Sequence, residues 1–329
     1  MVPVIYKNVP LMPCTPKRAR KMIEKGEATP FFKCGIFCIR LNKVPSGTAL
    51  QPIIVGIDPG SKKEGYSVAS AKRTLLNIQS DAITWVKDKI QQRKEMRRSR
   101  RNRKTPCRQN RINRKIGGIA PSTFARWNLK LRILNIINKL YPITTVIVED
   151  IKAITFKNGK KWNQSFSPLE VGKNWFYEKI KEKFDLKLVQ GFETSELRKS
   201  LNLKKLSNKL SNDWHAHCVD AWVIANSVVG AVAPTTKRVL LLHPMNFIRR
   251  QLHKLQPSKG GYRGKYGGTC GRIKKGAIIL HDGELKVAGG CQPTGLELKN
   301  MQGKRVNKII SFKKVKVIVP YNSFGWEYA

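Results

Sequence analysis

Apolar and polar positions along the chain change period several times, and each change marks an element. VPVIY, close to the start, is a short β run. Thr15 followed by Pro16 reads as a helix cap and a first helical position. Gly26 closes this basic helix, on which Arg18, Lys21 and Lys25 share a face. FFKCGIFCIRL then returns as a strand, with Cys34 and Cys38 on one face as core residues. The opening residues therefore predict a small βαβ-like module, bounded by the PSG at 45–47.

From Pro52 the pattern becomes IIVGID, a turn at PGSKK, and EGYSVAS, which is a hairpin with Asp58 at the C-terminal end of its first strand. TLLNI is a third strand. Residues 86–104 are good helix formers without Gly or Pro, yet they carry no continuous apolar stripe, so their faces cannot all pack on protein. PSTFARWNLKLRILNIINKLYPI has apolar residues at helical spacing, with Ser122 as cap and Pro142 as terminator. TTVIVED follows as a buried-type strand that delivers Glu149 and Asp150 at its end, on opposite faces. SNDWHAHCVDAWVIANSVVG opens with capping residues and continues as an amphipathic helix, placing Asp213, His217 and Asp220 on one side. From about residue 246 the chain is Gly-rich with closely spaced turn signals, which predicts a small β-barrel.

Charge changes the picture. The 329 residues carry 64 Lys+Arg against 21 Asp+Glu, a formal net charge of +43 spread over the full length. Such a chain repels itself, and a polyanion relieves the repulsion through release of condensed counterions. Nucleic acid is the expected partner. The charge is densest between Gln91 and Ile116, where twelve Lys+Arg face one acid, Glu95. A solvated helix face mixes both signs, so this segment reads either as a disordered basic arm or, more sharply, as an arginine helix lying between nucleic-acid strands. No membrane partner is expected: the most apolar stretch, 218–234, is interrupted by Asp220 and bounded by Pro234. The first residues lack a secretory pattern, and the seven cysteines are odd in number and scattered without a CxxC. These features predict a protein of the cytoplasm and nucleoid and exclude a zinc ribbon.

Three acids stand out in this basic chain. Asp58 and Glu149 end apolar strands, and Asp220 lies on the later helix. Carboxylates so placed can converge on Mg²⁺, which takes a few carboxylates plus water and phosphate oxygens. Two such ions about 4 Å apart activate a water and stabilise the leaving oxygen in phosphodiester hydrolysis. His217 can orient or deprotonate that water. Each acid also has a plain alternative, since a strand-end Asp can cap a turn and Asp220 can pair with an arginine. The set is stronger than its members, because acids flanked by IIV, VIV and AWVI are costly unless something cationic meets them. Asp150 and His215 stay ambiguous. All five histidines lie at or after His215, so a second, histidine-dependent nuclease centre between Glu149 and His215 is excluded by composition.

The order VPLMPCTPKRARKMIEKGEA, VGIDPGSKKEGYSVAS, the Arg-rich helix, VIVED, HAHCVDAW and RRQLHKLQPSKGGYRGKYGG resembles the IscB family of transposon-encoded RNA-guided nucleases, relatives of the type II CRISPR effectors. Only 71 positions separate Glu149 from Asp220, so the resemblance is to IsrB, the branch without an HNH nuclease. It implies an α/β fold: an RNase H-like (RuvC) mixed sheet with flanking helices, an Arg-rich bridge helix, an N-terminal PLMP module and a C-terminal small β-barrel. The implied domains are PLMP 1–51, RuvC part I 52–85, bridge and basic linker 86–116, RuvC parts II and III 117–245, and a C-terminal domain 246–329. The implied activity is nicking of the non-target DNA strand under direction of a structured guide, the ωRNA, next to a short adjacent motif in duplex DNA.

By motif match Asp58, Glu149 and Asp220 are implied as metal ligands for two Mg²⁺ ions, which Mn²⁺ can replace, and His217 as the catalytic histidine. Guide RNA is implied at Arg93, Arg97, Arg98, Arg100, Arg101, Arg103 and Lys104, and beyond them at Arg108, Arg111 and Arg114. DNA or RNA contact is implied at Arg18 and Arg20, and at Arg249, Arg250, Lys259, Tyr262, Arg263, Lys265 and Tyr266. Physics supports a guide independently, because a heteroduplex held by its backbone needs only cationic groups while base pairing reads the sequence. The protein is expected to be monomeric in its ribonucleoprotein. An unguided resolvase or transposase-type nuclease, and a guided binder without catalysis, are the competing readings.

Overall fold

In the computed structural model, residues 1–102, 118–152, 156–157, 160–161, 167–246, 269–270, 273–292, 294–320 and 324–329 are described. The chain divides into two compact units, Met1–Phe31 with Phe37–Val239, and Phe32–Ile36 with Leu240–Ala329.

The N-terminal module has four strands where the sequence pattern predicts two. β1 (Val2–Tyr6) turns at Lys7 and Asn8 into β2 (Val9–Cys14), and α1 (Pro16–Glu24) leads to β3 (Ala28–Lys33) and β4 (Ile36–Leu41). The sheet order is β2-β1-β4-β3, with β4 parallel to β1. Thr15 Oγ1 accepts from the Arg18 amide at 3.3 Å, Pro16 opens α1, and Gly26 follows its end at φ 67°, all as the sequence predicts. FFKCGIFCIRL, by contrast, is two strands. Cys34 and Gly35 take φ of 48° and 79° and turn the chain between them, so Cys34 and Cys38 are each buried but do not share a strand face. Ala19 packs with Val2, Val4, Ala28 and Ile39 as the module's core.

The central sheet of the first unit starts with a meander, β5 (Ile53–Asp58), β6 (Lys63–Ser70) and β7 (Arg73–Asp81). α2 (Val86–Asn102) and α3 (Pro121–Asn138) precede β8 (Thr145–Glu149). A two-stranded ribbon, β9 (Phe156–Lys157) with β10 (Lys160–Lys161), comes before α4 (Pro168–Lys181), β11 (Asp185–Val189), α5 (Gly191–Ser200) and α6 (Cys218–Val229). Within this unit the strands lie in the order β11-β8-β5-β6-β7. β8 is parallel to both β5 and β11, and β6 is antiparallel to its two neighbours. A five-strand order of 5-4-1-2-3 with only the second strand reversed is RNase H-like, the fold class expected from the sequence.

Strand alternation sends Ile54, Gly56, Asp58, Ile147 and Glu149 to one face, where Ile54, Ala69 and Ile147 pack against Ile224 and Ala225 of α6. α6 is buried along Cys218–Asn226, hence apolar nearly all round rather than amphipathic. Its approach is close: a Cβ on Gly56 would meet the Ala221 carbonyl oxygen at 2.0 Å. The other face carries Glu64 and Tyr66 and is covered by α3 and α4, whose Trp127 and Phe176 rings lie 5.1 Å apart. α3 begins at Pro121 with Ala120 as its cap, so Ser122 is two positions too far in to serve that role.

In the second unit β12 (Val239–Pro244) pairs antiparallel with β20 (Phe324–Tyr328), and β13 (Thr269–Cys270) with β14 (Ile273–Lys274). β15 (Ile278–His281), β16 (Glu284–Gln292), β17 (Gly295–Lys299), β18 (Arg305–Ile310) and β19 (Lys316–Val319) form a sheet in the order β18-β17-β16-β15-β19. The expected barrel thus takes the form of a five-stranded antiparallel sheet among the described residues. Ala277, Ile279, Ala288, Leu296 and Leu298 make its core. No helix among the described residues is long and apolar enough to cross a membrane.

Candidate active site

Three elements bring the three acids together. Asp58 ends β5 and Glu149 ends the adjacent parallel strand β8, on the same face. Asp220 lies in the first turn of α6, which sits on that face. Asp58 and Asp220 are 7% and 2% exposed. Gly65, the register partner of Asp58, makes room for this approach, and the Glu149 carboxylate lies against the start of α5, 3.1 Å from where a Cβ on Gly191 would be.

The acids meet cations and each other. The Asp58 and Glu149 carboxyls share a hydrogen bond. Burial, then the charge of Asp58 and that shared bond, then Asp220, push Glu149 up to about 8, with Lys205 only partly opposing. Burial also pushes Asp58 up, but His217, Lys205 and the bond to Glu149 outweigh it and hold Asp58 below its ordinary value. Asp220 is clamped from both oxygens: Arg198 Nη1 lies 2.6 Å from Oδ1, and the Lys205 ammonium contacts Oδ2. His217 caps α6 with Nδ1 3.6 Å from Asp58 Oδ2 and Nε2 donating to the Lys209 carbonyl at 3.0 Å. Burial disfavours its imidazolium, yet Asp58 and the Lys209 carbonyl raise its affinity for a proton above the ordinary value. Nε2 is held by the Lys209 carbonyl, and Nδ1 faces Asp58 at 3.6 Å, longer than a hydrogen bond.

Among the described residues no three Asp, Glu, His or Cys groups close into an ion-binding set. The physical reason is visible in the partners: Asp220 is turned onto Arg198 and Lys205, and Glu149 leans on Asp58. The donors themselves are carboxylate oxygens, buried together and compensated by a shared hydrogen bond and an ammonium, so their chemistry fits a hard divalent cation.

Asp213 does not join this cluster. It precedes the helix and pairs with its neighbour His215, Oδ1 to Nδ1 at 2.7 Å, so the expected common helix face for Asp213, His217 and Asp220 is not formed. Asp150 points to the opposite sheet face, as strand alternation predicts, where Lys173 lies at 2.8 Å and Tyr177 donates at 3.1 Å. Arg198 and Lys205 were not legible in the sequence, since nothing in their spacing separates them from the other basic residues. Gly56 and Gly65 carried a usable signal, because glycine inside an otherwise apolar strand marks close approach of another backbone.

Of the basic positions, Arg93, Arg97 and Arg98 are exposed on α2, and Arg18 and Arg20 on α1. Arg100 and Arg101 lie on α2 with side chains outside the description. Arg103, Lys104, Arg108, Arg111, Arg114, Arg249, Arg250, Lys259, Tyr262, Arg263, Lys265 and Tyr266 lie outside the described residues. A cavity of about 700 Å³ beside the N-terminal module, lined by Met12, Arg18, Met22 and Pro45 among others, includes none of Asp58, Glu149 and Asp220.

A family model described as RRXRR protein matches residues 2–161. Among solved structures, T. thermophilus RuvC in complex with Holliday junction substrate is similar over 53% of this chain and 90% of that one, at 15% identity and a TM-score of 0.28. A likeness at that level defines no activity. No curated protein matches the chain. The RRXRR match covers just under half of the chain, and the sheet order is that of an RNase H-like fold.

Proposed function

We propose that this chain is an RNA-guided DNA nickase of the IsrB type, which uses a structured guide RNA to open matching duplex DNA and hydrolyses one phosphodiester of the displaced strand. The observation that carries the reading is the convergence of buried Asp58 and Asp220 with half-buried Glu149 from three elements into one cluster, in a chain of net charge +43. The RRXRR family, which is associated with IscB-type nucleases, supports the guided form. The exposed arginines of α2 supply the charge that an RNA backbone needs. The domain limits 1–51, 52–85, 86–116, 117–245 and 246–329 belong to the same proposal.

In this reading Asp58, Glu149 and Asp220 hold divalent magnesium, which when bound supplies charge neutralisation at the phosphate and acidifies a water. Arg198 fixes the rotamer of Asp220. His217 holds Asp58, keeping β5 and α6 in register at the site. Asp58 and Glu149 would hold a cation with both carboxyls ionised, the proton kept by Glu149 in the ion-free site passing to solvent.

The test is a plasmid nicking assay in Mg²⁺ with matched and unmatched targets, using protein with and without its co-expressed RNA. RNA-dependent conversion of only the matched supercoiled plasmid to open circles is expected, and Asp58→Asn should abolish it while RNA binding persists. Cutting without RNA would favour an unguided resolvase or transposase-type nuclease. RNA binding without cutting would favour a guided binder.

A further inference from the structure

Lys205 is placed unlike the other basic residues around the site. It lies on the irregular connection between α5 and α6, and its ammonium contacts Oδ2 of Asp220. Arg198, on the opposite oxygen, is different in kind: it belongs to a regular helix, its Nη2 also reaches Ser195 Oγ at 3.4 Å, and its side chain is 18% exposed against 35% for Lys205. One cation is built into a helix and the other hangs from a loop with a path to solvent. Asp58, Glu149 and Asp220 all act on the Lys205 ammonium and, against the cost of burial, strengthen its hold on its proton. Its one contact in the cluster is with Asp220, and its charge acts on Asp58 and Glu149 as well.

We infer that Lys205 is a displaceable counter-cation that occupies the divalent-ion position of the carboxylate cluster, and that ion entry requires its ammonium to leave. This rests on the divalent-ion reading of the site and adds the way in which the site is held before loading. The buried carboxylates of Asp58 and Asp220 repel each other when left without a cation in a poorly solvated site. An ammonium and a divalent ion cannot share the same oxygens, since like charges at that distance repel by the same law. Lys205 lies in the connection between α5 and α6, so its ammonium can leave by side-chain rotation without unwinding a helix. Arg198 stays on Oδ1 and keeps Asp220 aimed. Lys205 then sets the ion affinity by competition, and Arg198 sets the geometry.

The test uses the full chain freed of nucleic acid, titrated with Mn²⁺ and followed by the electron paramagnetic resonance signal of unbound Mn²⁺. Lys205→Gln should bind Mn²⁺ about tenfold more tightly than wild type, a shift of about 1.4 kcal/mol, whereas Lys205→Arg, which retains the charge, should not. Without ion, Lys205→Gln should melt below wild type, and Mn²⁺ should restore it. In wild type, acylation of Lys205 by an amine-reactive reagent, read by mass spectrometry against exposed lysines, should rise several-fold when Mn²⁺ is added. Equal or weaker binding by Lys205→Gln, or unchanged acylation of Lys205 on saturation with Mn²⁺, overturns the inference. Absence of any Mn²⁺ site sensitive to Asp58→Asn in both wild type and Lys205→Gln overturns the divalent-ion reading itself and the inference with it.

Discussion

The carbonyl oxygen of His217 lies where a side chain on Gly65 would have to go, 2.3 Å from the position of its Cβ. Gly65 is the register partner of Asp58, so the missing side chain lets the start of α6 seat directly beside the strand that carries Asp58. Gly65→Ala should push that carbonyl outward and take both His217 and Asp220 with it. Misplacement of about 1 Å at reacting groups costs on the order of a hundredfold in rate, and the overpacking costs about 1–3 kcal/mol of stability. Nicking assays beside RNA filter binding should show the first falling sharply and the second holding. Full nicking by this variant would mean that the close approach is not needed for chemistry.

The legibility of the site follows from what each residue does locally. Asp58 and Glu149 were readable because they end apolar strands, and a polar residue after IIVGI or VIV breaks a pattern. Asp220 was readable for its residue type but not for its setting: the helix begins at Cys218, so Asp213 falls on the preceding turns and finds His215 instead. Arg198 and Lys205 act across chain separations of 22 and 15 residues, and no local periodicity records such a contact. In FFKCGIFCIRL the alternation suits one strand, and only the Cys-Gly pair hints at the turn. Strands β5 to β8 were legible because they are buried along most of their length and separated by turns or helices. By contrast, β11, exposed at three of its five positions, and the helices α4 and α5 on either side of it were not predicted.

The carboxyl of Glu149 gives the ion-free chain a specific pH dependence. Its native affinity for a proton is raised to about 8 from an ordinary 4.5, so the folded state keeps a proton that the unfolded chain has released. That contribution is complete below the unfolded value and is lost as pH rises through the window from about 4.5 to about 8. Thermal or denaturant unfolding in EDTA should therefore show stability falling across this range, by roughly 3 kcal/mol or less. Glu149→Gln keeps the hydrogen bond without the ionisation and should flatten that part of the curve. An unchanged slope in the variant would assign the dependence to other groups.

On the opposite sheet face Glu64 is fully buried and its carboxylate meets Lys130 at 2.6 Å and the Tyr66 hydroxyl, also at 2.6 Å. Lys130 lies in addition over the Trp127 ring, 4.5 Å from its centroid. Removing one member leaves a buried charge with no counter-ion, which costs about 3–5 kcal/mol, whereas replacing both with apolar groups of similar volume is often neutral. Lys130→Met should therefore be strongly destabilising by urea unfolding, and Glu64→Leu combined with Lys130→Met should recover most of the loss. A double variant as unstable as the single one would mean that packing around Trp127, rather than charge, is what Lys130 provides.

The exposed arginines of α2 lead to a prediction that separates binding from chemistry. Arg93, Arg97 and Arg98 project from a helix with no apolar stripe and lie on a different element from each of the three acids. If each neutralises one RNA phosphate, replacing all three with Ala removes three released counterions. The slope of log affinity against log salt should then become shallower by about 2. The effect should be nearly independent of RNA sequence, because phosphate contacts carry no base information. Binding isotherms for the co-expressed RNA at four or more salt concentrations would give both slopes. A weaker affinity with an unchanged slope would show that these side chains support the helix instead of touching the RNA backbone, and would remove α2 from the guide-binding surface.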